Sequence, residues 1–500
     1  GYDIMNYRKI NPEYGDMDLC DTLIDEIHRR KMKIVLDLVL NHTSIEHEWF
    51  KESRSSKDNP KRDWYIWKKG RKPTKERPGG KKPPNNWQAM ITGSGWHYDP
   101  TTHEYYWAQF LPFQPDLNYR NPEVRKEMLD TVKFWCQKKA DGFRLDIINA
   151  LYEDKEFRDN PFCWKLIPSD DDEARLFRDP IHTLNHPDTI EFMKQLRSTI
   201  DGFKDKERFF VGEVSGSIDT LKKYLGEDAD GLNLVFLFQS LTTPFKAKKI
   251  KKIIQLFEDN FPDPYLPTWV FGNHDRSRRM SRLGNNILKA KLSAALQLTV
   301  RGVPFIYYGE EIGMEDGFTP ANNSRDALVH YFGWIPQFIH NLVYKFTKET
   351  LNRDYCRTPM QWNSQEHAGF TTYPRAWLPI PRTYRKINVE TQLEDEDSIL
   401  NCYRRFLKVR KVTPALNSGS LRLPHIPELS KKVLAYERII KKGDKEQIVL
   451  VLLNFSNQGL RMPNPSPNLE FLVSTSVNNK PIAGSRIILN PWECVVLEEK

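Results

Sequence analysis

Four apolar stretches in the first 275 residues have the composition of buried β-strands. Short segments rich in apolar residues and bounded by polar ones are typical of buried strands. They occupy residues 32–42, 140–147, 208–213 and 268–275. Each stretch also carries a carboxylate at or near its carboxyl end, and these are Asp37, Asp146, Glu213 and Asp275.

Segments with helical periodicity separate these strands. They cover residues 17–30, 121–138, 187–200 and 285–299. An alternation of strand and helix predicts an α/β fold with a parallel sheet and right-handed crossovers. In barrels of this class the active site gathers at the carboxyl ends of the strands. We therefore expect the four carboxylates to converge on one site.

The rest of the chain divides into segments of different character. Residues 43–115 are too long for a loop between strand and helix, and they predict an inserted domain. Residues 314–387 predict an irregular insertion within the remainder of the α/β domain, which covers residues 116–417. Short apolar strands after residue 418 predict an all-β terminal domain. The predicted domains are therefore residues 1–42 with 116–417, residues 43–115, and residues 418–500.

The composition excludes several classes of protein. Among 500 residues, 39% are apolar and 28% are charged, which is typical of globular proteins and not of disordered or coiled-coil chains. No apolar run reaches membrane-spanning length, so we expect no membrane partner. The net charge of +9 comes largely from a basic run at residues 68–82, which lacks interleaved aromatics and predicts a solvated loop, not a nucleic-acid site. Six scattered cysteines indicate a reducing compartment, and we expect a cytoplasmic protein.

Asp146 and Glu213 form the best candidate pair for glycosidic bond cleavage, which uses one carboxylate as nucleophile and one protonated carboxyl. Arg144 alternates with Asp146 along one strand, so both side chains point to one face and the cation keeps the aspartate ionised. Glu213 follows an apolar strand, where desolvation raises a carboxyl pKa. A buried ion pair and a capped turn are the structural alternatives, and the joint occurrence favours catalysis.

Six ordered motifs give the chain a family resemblance. Asp37-x-Val39-x-Asn41-His42, Gly142-Phe-Arg144-x-Asp146, Gly212-Glu213 and Asn273-His274-Asp275 resemble the four signature segments of glycoside hydrolase family 13, the α-amylase family. Gln114 to Asn118 and Arg357 to Trp362 resemble further segments of its oligo-1,6-glucosidase and α-glucosidase branch. The resemblance implies a (β/α)8 TIM barrel, an inserted B domain and a C-terminal all-β sandwich.

The same resemblance implies a role for each matched residue. Asp146 would be the nucleophile, Glu213 the general acid and base, and Asp275 a third carboxylate that binds sugar hydroxyls. The implied substrate-binding residues are Tyr2, His42, Arg144, His274 and Arg357. Tyr2 would be a stacking platform for glucose, although a core tyrosine is the alternative, and Asp37 would be structural.

The chain also departs from the family pattern. The first two barrel strands and an Asp-rich metal-binding loop of the family precede the position matched by Gly1. We therefore expect only the last six barrel strands here, no metal ligand, and little activity from these residues alone. No cofactor is expected, and a structural calcium or magnesium ion only together with the preceding segment.

The motifs favour a retaining, exo-acting α-glucosidase that acts on α-1,6 or α-1,4 bonds of short oligosaccharides. Ile147, directly after Asp146, hints at α-1,6 specificity, although packing explains it equally well. The alternatives are a transglycosylating relative, such as a sucrose isomerase or trehalose synthase, and a trehalose-6-phosphate hydrolase. A non-catalytic transporter heavy subunit is disfavoured by the retained carboxylates. We expect a small oligosaccharide as the only partner of a monomer or weak homo-oligomer.

Overall fold

The computed structural model describes residues 2–90, 93–165, 172–331, 335–347, 349–426 and 429–500. These residues fall into two compact units, Gly1–Phe236 and Leu237–Lys500. Each unit is considered by itself below. Among the described helices, none is both long and apolar enough to cross a membrane.

The first unit contains alternating strands and helices. Its strands are β1 (Val35–Leu38), β2 (Trp67–Lys68), β3 (Trp96–Asp99), β4 (Glu104–Trp107), β5 (Gly142–Leu145), β6 (Phe209–Gly212) and β7 (Leu234–Val235). Its helices are α1 (Met17–Arg29), α2 (Glu48–Ser55), α3 (Pro122–Gln137), α4 (Pro187–Asp201) and α5 (Ile218–Leu225).

A parallel sheet with the strand order β1-β5-β6-β7 forms the centre of the first unit. The register places Asp37 on β1 opposite Arg144 on β5, which brings their side chains to one face. Strands β5 and β6 approach closely at Gly142, where an added Cβ would lie 2.6 Å from the carbonyl oxygen of Phe209. The predicted strands at residues 32–42, 140–147 and 208–213 are thereby confirmed.

The segment between β1 and β5 folds into a small antiparallel sheet with the strand order β2-β4-β3. Its core is a cluster of aromatic and aliphatic side chains, namely Ile66, Trp87, Trp96, Tyr105 and Trp107. The basic run forms a loop on this sheet. Arg71 forms a β-bridge with Lys82, and the Tyr105 hydroxyl donates to the Gly80 carbonyl at 3.0 Å. Arg77 lies over the Tyr98 ring at 4.2 Å.

The second unit begins with α/β elements and ends in β-structure. Its helices are α6 (Gln239–Thr242), α7 (Ala247–Asn260), α8 (Arg279–Arg282), α9 (Ile287–Thr299), α10 (Ala327–Tyr331), α11 (Gln337–Thr347), α12 (Val389–Glu394), α13 (Ile399–Val412) and α14 (Pro414–Ser418). Its strands are β8 (Thr268–Val270), β9 (Val303–Phe305), β10 (Ser420–Arg422), β11 (Val433–Lys442), β12 (Lys445–Asn454), β13 (Leu460–Pro463), β14 (Leu469–Ser474), β15 (Ile482–Ala483), β16 (Arg486–Leu489) and β17 (Cys494–Glu499).

Strand β8 lies within the predicted strand at residues 268–275, and it pairs in parallel with β9. The segment 314–387 is only partly irregular, because it contains α10 and α11 beside several single turns of 3-10 helix. After α14 the chain forms a sheet with the order β10-β11-β12-β17-β14 and a sheet with the order β13-β16-β15. Side chains from both sheets share one buried apolar cluster. The predicted all-β terminal region is confirmed.

Candidate active site

In the first unit, three carboxylates stand at the carboxyl ends of adjacent parallel strands. Asp37 lies on β1, Asp146 directly follows β5, and Glu213 directly follows β6. The backbone ladder continues past the strand ends, because the Asp146 amide donates to the Leu38 carbonyl at 3.2 Å and the Glu213 amide donates to the Leu145 carbonyl at 2.9 Å. These hydrogen bonds hold both side chains at one edge of the sheet.

Arg144 lies at the centre of this group. Its Nη1 donates to Asp146 Oδ1 at 2.6 Å and to the two carboxylate oxygens of Asp37 at 2.9 and 3.0 Å. Its Nη2 donates to Glu213 Oε2. The Tyr2 hydroxyl accepts from Nη1 at 3.2 Å and donates to Asp37 at 3.1 Å. Burial disfavours the charge of Arg144, but Asp146 and Asp37 outweigh burial and raise its pKa above the ordinary value.

The shared guanidinium limits the separation of Asp146 and Glu213. Their carboxyl oxygens are separated by no more than two hydrogen bonds and the width of one guanidinium group. Retaining glycosidases hold their two carboxyls about 5–5.5 Å apart. The contact to Glu213 was not expected from the sequence, which suggested an apolar surrounding for this group, because contacts between strands depend on their register.

The backbone directly after Asp146 is strained. Ile147 has a φ of 32°, in the left-handed region that β-branched residues rarely adopt. Strained backbone of this kind occurs preferentially at functional sites. The amide of the next residue, Ile148, donates to the Glu213 carbonyl at 3.2 Å, so the strained turn connects the chain after Asp146 with the chain at Glu213.

Tyr2 and His42 adjoin the Arg144 group. The Tyr2 carbonyl accepts from His42 Nε2 at 2.9 Å and from Gln114 Nε2 at 2.7 Å. His42 is 2% exposed, and burial lowers its pKa from 6.5 to about 4, with the hydrogen bond to Tyr2 opposing. His42 is therefore a neutral imidazole at pH 7. The hydroxyl of Tyr2 contacts Asp37 and Arg144, a role that the sequence did not indicate.

In the second unit, Asp275 lies among three cationic or ionisable groups. Arg353 Nη1 and Arg357 Nη2 donate to its Oδ1 at 2.9 and 3.0 Å, and His274 Nε2 is 3.3 Å from its Oδ2. Burial raises the pKa of Asp275, but His274, Arg353 and Arg357 together hold it below its ordinary value. Arg357 Nε also donates to the His274 carbonyl at 2.8 Å. Asp275 is thus held as an ionised hydrogen-bond acceptor.

The structure groups the residues predicted from the sequence into two sets. Tyr2, His42, Arg144, Asp146 and Glu213 lie together in the first unit, and His274, Asp275 and Arg357 lie together in the second. A common site that unites the two sets stays a prediction. Within the described ranges, no cluster of three or more His, Cys, Asp or Glu could hold a metal ion.

Sequence reasoning missed Arg353 and Asp326. Arg353 binds Asp275, and Asp326 binds Arg353 through both carboxylate oxygens. Arg353 stands four positions before Arg357 in the chain, and this proximity was the available signal. Asp326 lies in the segment 314–387, which the pattern predicts to be irregular. No motif or periodicity there indicated a role for Asp326.

The family profile for the alpha amylase catalytic domain matches residues 1–419. The chain belongs to the α-amylase family. This family membership makes it a glycoside hydrolase, in agreement with the motifs at Asp146, Glu213 and Asp275. The match also assigns the first 419 residues to the fold of an α-amylase catalytic domain, followed by a C-terminal β domain.

Curated members of this family resemble the chain over nearly its whole length. An oligo-1,6-glucosidase from Heyndrickxia coagulans is 33% identical, over 99% of this chain and 88% of the relative. An α-glucosidase from Candida albicans is 34% identical, with the same two coverages of 99% and 88%. A trehalose-6-phosphate hydrolase from Bacillus subtilis is 33% identical, over 91% of this chain and 79% of the relative.

Two solved structures are similar to this chain over its whole length. The trehalulose synthase MutB from Pseudomonas mesoacidophila MX-45 superposes with a TM-score of 0.84 at 29% identity, covering 100% of this chain and 89% of that chain. The α-glucosyl transfer enzyme XgtA superposes with a TM-score of 0.82 at 31% identity and the same coverages of 100% and 89%. Hydrolases and glucosyl-transferring enzymes therefore both resemble this chain.

Proposed function

We propose that this family member is a retaining, exo-acting α-glucosidase that hydrolyses α-1,6 or α-1,4 glucosidic bonds at the non-reducing end of short oligosaccharides. The single observation that carries the proposal is the pair of carboxylates, Asp146 and Glu213, held on one guanidinium at adjacent strand ends. The similarity to oligo-1,6-glucosidases and α-glucosidases supports the substrate class. We further propose that the parallel strands belong to a (β/α)8 barrel.

Asp146 is proposed as the nucleophile. Its carboxylate oxygen attacks the anomeric carbon of glucose while the bond from that carbon to the glycosidic oxygen breaks, which forms a covalent glucosyl ester. Arg144, 2.6 Å from Asp146, keeps the carboxylate ionised and oriented. Water then attacks the anomeric carbon on the face opposite the ester oxygen while the bond from that carbon to Asp146 breaks, which frees the carboxylate, and this second inversion restores the original α configuration.

Glu213 is proposed as the general acid and base. In the first step it donates its proton to the leaving glycosidic oxygen, and in the second it takes a proton from the attacking water. A neighbouring guanidinium favours the ionised form of a carboxyl group, so we propose that the contact with Arg144 opens when substrate binds and Glu213 takes up its proton. Asp37 remains as a partner for Arg144 at 2.9 Å, and the cation keeps two carboxylates after Glu213 is released.

The other predicted residues are proposed to hold the glucose ring. Asp275 accepts hydrogen bonds from sugar hydroxyls and His274 donates a further one, whereas His42, whose Nε2 proton is donated to the Tyr2 carbonyl, contacts the sugar without donating. Tyr2 offers its ring as a stacking surface, and Arg357 closes the pocket around the non-reducing end. Asp275 suits its role because His274, Arg353 and Arg357 hold it ionised.

Glucosyl transfer is the second candidate function. It is favoured by the likeness to the trehalulose synthase MutB and the α-glucosyl transfer enzyme XgtA. The similarity to the trehalose-6-phosphate hydrolase from Bacillus subtilis makes trehalose 6-phosphate a further candidate substrate. Transfer uses the same glucosyl ester, with a sugar hydroxyl in place of water as the acceptor. The balance between the two functions is therefore a question of acceptor binding, not of the catalytic carboxylates.

The experiment is an activity screen of the purified protein with isomaltose, maltose, sucrose and trehalose 6-phosphate. Proton NMR during the first minutes identifies the anomer of the released glucose and any transfer product. Initial release of α-glucose from isomaltose or maltose is expected. The reducing-end glucose is released as an equilibrium mixture of anomers, so only an initial excess of β-glucose over that mixture would contradict retention, and turnover of sucrose into an isomer without free glucose would favour the transferase.

Cofactor, partner and compartment are also proposals. We propose that hydrolysis needs no cofactor, that the only partner is a small oligosaccharide, and that the protein works in the cytoplasm as a monomer or weak homo-oligomer. Activity that is unchanged by dialysis against EDTA is expected, and an activity that returns only with added calcium or magnesium would contradict the first proposal. Sedimentation of the purified protein measures the oligomeric state.

A further inference from the structure

Asp326 holds Arg353 in a buried, two-pronged ion pair. Arg353 Nε donates to Asp326 Oδ2 at 2.9 Å, and Nη2 donates to Oδ1 at 2.6 Å. The backbone amide of Arg353 adds a third hydrogen bond to Oδ2 at 3.0 Å. The Asp326 side chain has 0% exposed surface. Burial raises its pKa, but the bonds from Arg353 outweigh burial and hold the pKa below its ordinary value.

The same guanidinium reaches Asp275. Arg353 Nη1 donates to Asp275 Oδ1 at 2.9 Å, and a guanidinium is planar with its donors in a rigid fork. Once Nε and Nη2 are fixed on Asp326, the position of Nη1 is fixed as well. The carboxylate of Asp275 is thereby tied to a side chain with which it shares no direct hydrogen bond.

Two arginine side chains hold the Asp275 carboxylate, and each arginine is anchored by a different group. Arg357 is anchored by the His274 carbonyl at 2.8 Å and bonds Asp275 at 3.0 Å. Arg353 is anchored by Asp326. Both arginines bond the same oxygen, Oδ1, which fixes the carboxylate in one rotation. The Asp275 side chain is 35% exposed, so it still presents an open surface on which sugar hydroxyls can be received.

We propose that Asp326 is a positioning residue that acts through Arg353 to fix the orientation of the Asp275 carboxylate. This inference rests on the proposed function, because it gives Asp275 a substrate to bind. Hydrogen bonds from sugar hydroxyls to Asp275 that tighten in the transition state contribute to kcat more than to KM. Loss of Asp326 is therefore expected to lower kcat while KM changes little.

Asp354 provides a matched control. It is also a buried carboxylate of the same region, and it accepts hydrogen bonds from the Ser324 hydroxyl at 2.9 Å and the Arg325 amide at 2.7 Å. None of its hydrogen bonds in the described region comes from the Arg353 guanidinium. Asp326→Asn and Asp354→Asn therefore change one buried carboxylate each, and only the first change removes a carboxylate that the Arg353 guanidinium contacts.

The test is a double-mutant cycle with Asp326→Asn, Arg353→Met and the double variant, assayed with isomaltose and maltose. Displacement of a catalytic group by about 1 Å costs roughly 100-fold in rate. We expect each single variant to lose between tenfold and roughly 100-fold in kcat with KM within about threefold. The double variant should lose no more than the worse single variant, since residues that act in series are not additive.

The control and a second variant make the test decisive. Asp354→Asn should keep kcat within about threefold of wild type even if its melting temperature falls as much as that of Asp326→Asn. Asp326→Glu keeps the charge and lengthens the side chain by one methylene. Asp326→Glu should fold even if Asp326→Asn does not. Its kcat should be higher than that of Asp326→Asn. If Asp326→Asn does not fold, the comparison is with Arg353→Met, and the kcat of Asp326→Glu should again be higher.

Three results would overturn the inference. They are additive losses in the cycle, a kcat for Asp326→Asn equal to that of Asp354→Asn, and a crystal structure of Asp326→Asn in which Arg353 and Asp275 have not moved. The crystal structure tests the inference even if the wild-type protein cleaves no glucoside, whereas that absence of activity would overturn only the proposed function.

Discussion

Acidification from pH 7.5 to pH 5 should destabilise the protein, because His42 is buried as a neutral imidazole. Its Nε2 lies 2.9 Å from the Tyr2 carbonyl, which only accepts, so Nε2 carries the proton. Its Nδ1 lies 3.4 Å from the Asn41 amide nitrogen, which donates. A second proton, on Nδ1, would therefore face the Asn41 amide group, which cannot accept it. Burial also disfavours the positive charge that this proton would bring.

The magnitude follows from the pKa of His42, which burial lowers from 6.5 to about 4. In the unfolded chain the imidazole takes up its proton near pH 6.5, whereas the folded protein does so only near pH 4. The stabilisation is therefore complete above pH 6.5 and is lost as the pH falls through that window. At pH 5 the gap to 6.5 is about 1.5 pKa units, which at 1.36 kcal/mol each corresponds to about 2 kcal/mol.

The assay is urea denaturation of the wild type and of His42→Gln at pH 7.5, 6.5, 5.5 and 5. Glutamine keeps a donor for the Tyr2 carbonyl but cannot titrate, so the variant should lose about 2 kcal/mol less than wild type between pH 7.5 and pH 5. His425, which is exposed, supplies the control, and His425→Gln should follow the wild-type pH dependence. Identical pH dependence of wild type and His42→Gln would refute the reasoning.

Three further variants test other parts of the structure. Asp146→Asn should lower kcat by at least roughly 1,000-fold with unchanged circular dichroism, and wild-type turnover would remove Asp146 from the mechanism. Glu213→Gln should lower kcat/KM for isomaltose far more than for p-nitrophenyl α-glucoside, because the phenolate leaves without a proton, and equal losses of kcat/KM on both substrates would contradict its role as general acid. Arg438→Met should destabilise the second unit by about 3–5 kcal/mol in urea denaturation. Arg438 is 0% exposed and donates to the carbonyls of Thr299, Leu416 and Gly419, so a loss below about 1 kcal/mol would show that the buried cation is not an important support.

Secondary structure could be predicted best where apolar residues cluster into a strand or where a capping residue marks the start of a helix. The strand-like segment around Asp146 predicted β5, and the family motifs there predict a catalytic role for the carboxylate that follows it. Helix α3 begins at Pro122 after Asn121, whose side chain accepts from the Glu123 amide, as cap preferences predict. These features are local, so no knowledge of distant residues is required to recognise them.

Features that depend on register or on distant contacts could not be predicted. Strand β7 consists of Leu234–Val235, which is too short to show any period. The pairing of Asp37 with Arg144 follows from the alignment of β1 and β5, and hydrophobic pattern alone does not specify that alignment. The ion pair of Asp326 and Arg353 joins positions 27 residues apart, within a segment that shows no helical or strand periodicity in the sequence. It can therefore be recognised only in the folded structure.

The charge around the two candidate sets suits two different tasks in glycoside cleavage. In the first unit, Asp37 and Asp146 share one cation, Arg144, so the group stays negative overall when Glu213 carries the proton that it donates. A neutral sugar gains little from this field, whereas an oxocarbenium-like transition state gains much, and such differential stabilisation raises kcat. In the second unit, Asp275 is matched by Arg353, Arg357 and His274. Its charge is compensated, so it is better suited to receive and orient hydroxyl groups than to stabilise a cation.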